Sequence, residues 1–162
     1  MIEFYKVDTN YTAYLQQYDR QIPNISYHTN NKFVCGIVLH INGFNYYAPI
    51  SSKKDKQQTN CLITDHNGRV LSSIKFSFMF PANLNHLKQM DFNNIMKNNV
   101  NYYNLLLKEY QFCKSHEQDI LEKARKVYRI GCNPHHPLNK VCCNFKLLEQ
   151  KYLDYENEVI IC

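Results

Sequence analysis

The chain has 162 residues, of which 44% are hydrophobic and 20% are charged, and it carries a net charge of +5 at pH 7. This length predicts one domain over 1–162 with a substantial core. The 4 glycines argue against a glycine-rich nucleotide-binding loop, and no apolar run approaches the length of a membrane span. Residues 1–100 hold 10 basic and 6 acidic side chains. That excess suits a polyanionic partner, although solubilising charge would explain it equally well.

The N-terminal half has the pattern of short strands joined by turns. Thr9 or Asn10 is positioned to cap a short helix whose apolar side chains recur at helical spacing: Tyr11, Tyr14, Leu15 and Tyr18. Asn42-Gly43 is a strong hairpin signal between two β-rich runs. The strands are predicted over 2–7, 33–41, 44–48, 60–65 and 73–80, with Pro49 ending the third and Pro81 the last.

The C-terminal half is predicted to be helical over 83–98, 101–129 and 143–155. Strands that precede helices along the chain are typical of the α+β class. We therefore predict a compact antiparallel β-sheet or small barrel with packed helices.

The 7 cysteines are odd in number and include an adjacent pair, Cys142 and Cys143. Free thiols in a reducing cytoplasm are the favoured interpretation, and it agrees with an N-terminus that does not have the pattern of a signal peptide. Cys132, His135, His136, Cys142 and Cys143 have the residue types of a zinc site, but their spacing matches no known zinc pattern. Buried or free thiols are preferred, and no metal or cofactor is predicted.

Two hydroxyls and two ammonium groups follow the predicted strand over 44–48, and they belong to Ser51, Ser52, Lys53 and Lys54. Asp55 is the one acid nearby, and Lys56 comes directly after it. Serine hydroxyls donate hydrogen bonds and lysines supply compact positive charge, so the segment suits a phosphate group. Without other information, an ordinary solvated loop is the alternative.

The order and spacing of many short segments point to a family. They include Phe4-Tyr5, Ile22-Pro23-Asn24, Gly36-Ile37-Val38-Leu39, Tyr47-Ala48-Pro49-Ile50-Ser51-Ser52, Phe78-Met79-Phe80-Pro81, Gln111-Phe112, Cys143-Asn144-Phe145 and Leu147-Leu148-Glu149. In these segments the chain resembles the ToxN/AbiQ toxins of type III toxin–antitoxin systems, nearly from end to end.

The resemblance implies a bacterial endoribonuclease with a fold similar to the MazF/Kid toxins. It implies cleavage of cellular or phage mRNA without a metal, leaving 2′,3′-cyclic phosphate and 5′-hydroxyl ends. It also implies a small non-coding RNA antitoxin, made of pseudoknot repeats that the toxin processes, and a cyclic toxin–RNA assembly. The biological roles implied are abortive infection of phages and plasmid maintenance.

The family's active loop carries over onto Ser51, Ser52 and Lys54, and its lysine before the central strand onto Lys32. Its N-terminal tyrosine carries over onto Tyr11, for which a core position is the alternative. Tyr27 is the nearest match to a family tyrosine that would stack on a base, with simple loop packing as the alternative. The predicted catalytic residues are thus Ser51, Ser52, Lys54 and Lys32. For Lys32, an ordinary surface charge is the alternative.

Further RNA contacts are expected from Lys53 and Lys56 and from a basic run in the predicted helix over 101–129. That run holds Lys123, Arg125, Lys126 and Arg129, for which a solvated helix face is the ordinary interpretation. The clustered lysines are expected to lower one another's pKa by like-charge repulsion. Two rival functions are a non-catalytic RNA-binding module and a small zinc-dependent nucleic-acid-binding protein.

Overall fold

The computed structural model describes residues 1–24 and 32–161, with side chains up to residue 158. In these ranges, seven strands form an antiparallel sheet in the order β4-β5-β3-β2-β1-β7, and β6 pairs with β3. The strands are β1 (Glu3–Val7), β2 (Val34–Ile41), β3 (Phe44–Ser51), β4 (Asn60–Thr64), β5 (Val70–Lys75), β6 (Phe80–Ala82) and β7 (Leu87–Gln89). The helices are α1 (Thr9–Gln16), α2 (Phe92–Asn98), α3 (Val100–Ser115), α4 (Glu117–Cys132) and α5 (Phe145–Ile161). The predicted α+β class is confirmed, and no helix of the described part is long and apolar enough to cross a membrane.

The central hairpin joins β2 to β3 through a two-residue turn. Asn42 and Gly43 both adopt positive φ, 54° and 82°, as a turn of this length requires, so the predicted hairpin is confirmed. Further along the pair, Gly36 lies opposite Tyr47. A Cβ atom at Gly36 would stand 1.9 Å from the Tyr47 ring, so the missing side chain makes room for the aromatic ring.

The helices α3 and α4 cover one face of the sheet. The buried side chains of Cys35, Ile50 and Ile74 point to this face, and the Cys35 thiol contacts that of Cys113 on α3. Burial raises the pKa of the Cys35 thiol. The largest fully buried side chains of the core are aromatic, and they are Tyr11, Tyr46, Tyr47, Phe4, Phe76, Phe80 and Phe145.

One buried carboxylate joins β3, α4 and α5. Glu149 is 6% exposed, and its Oε1 accepts hydrogen bonds from the Tyr46 hydroxyl at 2.9 Å and the Tyr128 hydroxyl at 2.6 Å. Lys146 approaches the other carboxylate oxygen at 3.4 Å. Burial and the bond to Glu149 raise the pKa of Tyr128 to about 12, so both tyrosines remain donors at neutral pH.

Two of the predicted helices differ from the observed ones. The helix predicted over 101–129 is two helices, because the backbone leaves helical geometry at His116. The Ser115 hydroxyl binds the Phe112 carbonyl, and Glu117 and Asp119 favour a new helix N-terminus directly afterwards. The segment over 83–98 is helical only in part: β7 pairs with β1 inside it, because this pairing satisfies the edge of β1.

Two strand predictions and one helix-cap prediction differ from the structure. The run over 73–80 is interrupted by a 3₁₀ turn over residues Phe76–Phe78, so β5 and β6 pair with different parts of β3. Pro81 does not end this run, because it lies inside β6 and pairs with Tyr46. Pro49 does not end β3, which continues to Ser51 because the Ile50 amide still donates to the Phe33 carbonyl. The cap of α1 is Asp8 rather than Thr9 or Asn10, since the Asp8 carboxylate accepts the Asn10 amide at 3.0 Å.

We expect Glu149→Ala to destabilise the fold by about 3–5 kcal/mol, because two buried tyrosine hydroxyls would lose their shared acceptor. Urea unfolding followed by circular dichroism measures this change. The control Glu122→Ala removes an exposed carboxylate from α4 and should change the stability by about 0.5 kcal/mol or less. Equal stability of the two variants would contradict this role of Glu149.

The second buried carboxylate predicts a pH dependence of stability. Glu109 on α3 is 3% exposed, and burial raises its pKa to about 7 against a smaller opposing effect of the Ser72 hydroxyl. The folded state binds the proton of the Glu109 carboxyl more tightly than the unfolded state does. The contribution of this proton to the free energy of unfolding is therefore complete below about pH 4.5 and is lost as pH rises to about 7. In Glu109→Gln the free energy of unfolding should vary less with pH over that range, and at pH 8 it should be higher than that of the wild type by about 2–3 kcal/mol. Denaturant titrations at pH 4.5, 6 and 8 measure this, and a pH slope unchanged in Glu109→Gln would contradict it.

Candidate active site

The end of β3 sets the position of Ser51 between two neighbouring chain segments. On one side, Ser51 is in register with Ser73 of β5. On the other, Val34 pairs with Pro49 and the Ile50 amide donates to the Phe33 carbonyl at 3.2 Å. Residues in register on antiparallel neighbours point to the same face, so Ser51 and Ser73 share one face of the sheet. Lys32 lies two residues before the start of β2, and we expect it to come opposite Ser51 if the register continues.

The loop over residues 52–57 leaves the sheet directly after Ser51. Ser51 is half-buried, and its Oγ accepts a hydrogen bond from the Lys53 amide at 3.2 Å, which turns the chain. The next residues expose their side chains to solvent, and these are Ser52, Lys53, Lys54, Asp55 and Lys56. The loop thus offers hydroxyl and ammonium groups within five residues, which is a suitable set of donors for a phosphate.

Buried polar side chains fasten this exposed loop to the sheet. The Ser73 hydroxyl, which is fully buried, donates to the Lys53 carbonyl at 2.7 Å. Asn60 of β4 is 1% exposed; its amide donates to the Asp55 carbonyl at 2.8 Å and its oxygen accepts from the Gln57 amide at 2.9 Å. The backbone from Lys53 to Gln57 is therefore held at three points, although its side chains face water.

A fourth contact to the loop comes from a lysine. Lys75 of β5 donates from Nζ to the side-chain oxygen of Gln57 at 3.1 Å. Burial lowers the pKa of the Lys75 ammonium, the charge of Lys53 lowers it further, and Asp55 acts in the opposite direction. The charges of the loop are thus close enough to Lys75 to influence its protonation.

Tyr11 does not belong to this site. It is fully buried, donates from its hydroxyl to the Pro81 carbonyl at 2.5 Å, and stacks on His86 with ring centres 4.2 Å apart. Pro81 pairs with Tyr46, five residues before Ser51 and so roughly 16 Å away along an extended strand. The structure therefore favours the alternative of a core tyrosine over an RNA contact.

The basic run of α4 lies on a different part of the surface. Lys123 is half-buried, and its charge acts on Cys61, a residue of β4 that points away from the face of Asn60. Arg125, Lys126 and Arg129 are exposed to solvent. Because α4 packs on the opposite face from Ser51, the structure does not bring these four residues together with the loop over 52–57.

The remaining expectations concern Tyr27 and a zinc site over residues 132–143. Tyr27 lies outside the described residues. No group of three or more histidine, cysteine, aspartate or glutamate side chains within the described ranges is arranged to hold a metal ion, and these ranges include the whole segment from Cys132 to Cys143. In that segment, burial raises the pKa of the Cys142 thiol to about 11 and also raises the pKa of the Cys132 thiol. The zinc alternative therefore has no ligand cluster to support it.

The sequence reading missed the side chains that support the loop. Ser73, Asn60 and Lys75 are polar residues within strand-forming runs, and residue type alone does not indicate that they are buried. It also missed Tyr5, a half-buried ring that meets Tyr47 edge-on at 5.5 Å on the same face as Ser51. The one signal for Lys75 was its place between two large apolar residues, Ile74 and Phe76.

The family described as "Toxin ToxN, type III toxin-antitoxin system" matches residues 3–153 of the chain. The chain belongs to this toxin family. It is 30% identical to the endoribonuclease ToxN of Pectobacterium atrosepticum, over 97% of this chain and 95% of that protein. It is 28% identical to the endoribonuclease ToxN of Bacillus thuringiensis subsp. kurstaki, over 95% and 84% of the two chains.

Solved structures of ToxN-type toxins share the fold. One, from work on selective toxin inhibition by a non-coding RNA pseudoknot, superposes with a TM-score of 0.88 at 27% identity and covers 96% of this chain and 98% of its own. The structure of AbiQ, a lactococcal anti-phage endoribonuclease, superposes with a TM-score of 0.84 at 24% identity, over 97% and 99% of the two chains. The resemblance to the ToxN/AbiQ toxins that the sequence motifs indicated is thereby confirmed.

Proposed function

We propose that this ToxN-family chain is an endoribonuclease, the toxin of a type III toxin–antitoxin system, acting as one domain over residues 1–162 in the bacterial cytoplasm. The observation that carries the proposal is the loop over 52–57, which presents hydroxyls and lysines at the end of β3 and is anchored from below by buried polar groups. Relatives named as endoribonucleases, which align with nearly the whole chain, support the same activity.

The proposed reaction uses the 2′-hydroxyl of the RNA as its nucleophile. That oxygen loses its proton and attacks the neighbouring phosphorus, the bond to the 5′-oxygen breaks, and this oxygen takes up a proton. The products are a 2′,3′-cyclic phosphate and a 5′-hydroxyl end. In this scheme Ser51 and Ser52 hold the phosphate and its sugar, because preorganised donors stabilise the charge that develops on the phosphoryl oxygens.

The lysines supply the positive charge in this scheme. Lys54 on the loop and Lys32 opposite Ser51 flank the phosphate and neutralise its transition state, and one of them protonates the leaving oxygen. Lys53 and Lys56 contact the phosphates on either side of the cleaved bond. Tyr5 stacks against a neighbouring base, as half-buried aromatic rings do in single-strand binding sites.

The proposed partner is an RNA antitoxin that folds as pseudoknot repeats and is processed by the toxin. One solved relative is selectively inhibited by such a pseudoknot, and another belongs to an antiviral system regulated by a processed non-coding RNA. The exposed Arg125, Lys126 and Arg129 on α4 give a second basic surface apart from the loop. Two separate RNA-binding surfaces on each toxin are what a cyclic toxin–RNA assembly requires, and phage defence by abortive infection is the role we propose for it.

The purified protein is expected to cleave RNA in excess EDTA, because the proposed reaction uses only side chains. Gel analysis of a labelled RNA, followed by treatment of the fragments with a phosphatase that opens cyclic phosphates, measures both the cut and its end groups. Intact RNA under these conditions, alongside tight RNA binding, would favour the non-catalytic RNA-binding module instead.

Ser52→Ala should lower the cleavage rate about 10²–10³-fold, because the phosphate would lose one preorganised donor. Its affinity for RNA should change little, since the lysines remain. Single-turnover rates and filter binding measure the two quantities. Ser115→Ala, at the exposed end of α3, is the matched control and should cleave at the wild-type rate; a fully active Ser52→Ala protein would refute this assignment.

A further inference from the structure

Lys75 is a buried lysine on β5, the strand that pairs with the end of β3. It is 6% exposed and is the last residue of β5, between Ile74 and the first residue of the 3₁₀ turn, Phe76. Lysine is rarely buried to this extent, because removing an ammonium group from water costs free energy unless a partner compensates. Its Nζ donates a hydrogen bond to the neutral side-chain oxygen of Gln57, at 3.1 Å.

The strand register places Lys75 directly beneath the candidate active loop. Ser51 pairs with Ser73, and Lys75 lies two residues beyond Ser73 on the same strand. Side chains two residues apart on a strand share a face, so Lys75 points to the face that carries Ser51. In the neighbouring strand Lys75 is in register with Asn60, which itself binds the loop at Asp55 and Gln57.

Lys75, Ser73 and Asn60 contact different parts of the loop over 52–57. Ser73 and Asn60 bind the main chain of residues 53–57. Lys75 binds the Gln57 side chain, and the charges of Lys53 and Asp55 both act on the pKa of its ammonium group. The loop is thus fixed from one side by a charged group while its own hydroxyls and lysines face outward.

We propose that Lys75 is a positioning residue for RNA cleavage, which holds the loop over 52–57 through Gln57 so that Ser52 and Lys54 meet the scissile phosphate. This role of Lys75 rests on the proposed function, and it adds to that function a residue that does not touch the substrate. Lys75 acts through Gln57, so removing either partner disturbs the same loop geometry.

Lys75→Met tests this role, because methionine keeps much of the apolar stem and removes the ammonium group. We expect the single-turnover rate at saturating RNA to fall 10–100-fold, and the dissociation constant for RNA to change less than threefold. Lys88→Met, at an exposed position of β7, is the control and should behave as the wild type. Circular dichroism and thermal unfolding establish that each variant is folded at the assay temperature.

Gln57→Ala gives a test that does not depend on a core substitution, since Gln57 is exposed. It should lower the rate to a similar extent as Lys75→Met, and the double variant should be no slower than the slower single variant. Effects that multiply, or a wild-type rate in Gln57→Ala, would overturn the proposal even if Lys75→Met fails to fold.

The pH dependence of the rate separates positioning from a merely structural role. Gln57→Glu gives Lys75 an acidic partner that favours its charged form, so the alkaline decline in rate should move to higher pH. An unchanged alkaline limb would overturn the proposal. If the wild type itself does not cleave RNA, the proposed function and this inference fall together. If the wild type cleaves and Lys75→Met and Gln57→Ala cleave equally well, only this inference falls.

Discussion

Strand β3 is paired on both sides, with β2 along one edge and with β6 and β5 along the other, and this pairing fixes the position of Ser51. Ser51 lies at the end of this strand, where the pairing with β5 brings Ser73 beside it. A shift of one residue in either pairing would turn these side chains to the face covered by α3 and α4. The core that fixes the register, including Tyr46, Tyr47 and Gly36, is therefore also what aligns the site.

The loop after β3 shows how an exposed segment is held in one conformation without being buried. Its side chains face solvent, where RNA can reach them, while its carbonyls and one amide are bound by side chains from the sheet below. A phosphate that binds such a loop does not have to order it first, so more of the interaction energy is available to the transition state. Buried polar groups are costly unless each is satisfied, and here their partners are the loop itself.

The sequence was sufficient for the parts of the fold that depend on local signals. Asn42-Gly43 predicted the hairpin, and the serines and lysines after it marked the loop, because turn geometry and phosphate affinity follow from residue type. The break at His116 was missed because the apolar spacing continues through it, and the strand β7 was missed because only its pairing with β1 makes it a strand. The burial of Tyr11 and that of Lys75 do not follow from local signals. Whether a tyrosine or a lysine faces solvent is decided by segments distant in sequence, such as Pro81 and Gln57.

The bond between Tyr46 and Glu149 joins residues separated by 103 positions in the chain. Tyr14 is likewise bound to the carbonyl of Lys151, 137 positions later. During synthesis, β3 and α1 leave the ribosome well before α5 exists to supply these acceptors. The core beneath the candidate site is therefore completed only when α5 has emerged, and a nascent chain that ends before it carries the serines and lysines of the loop on an unfinished scaffold.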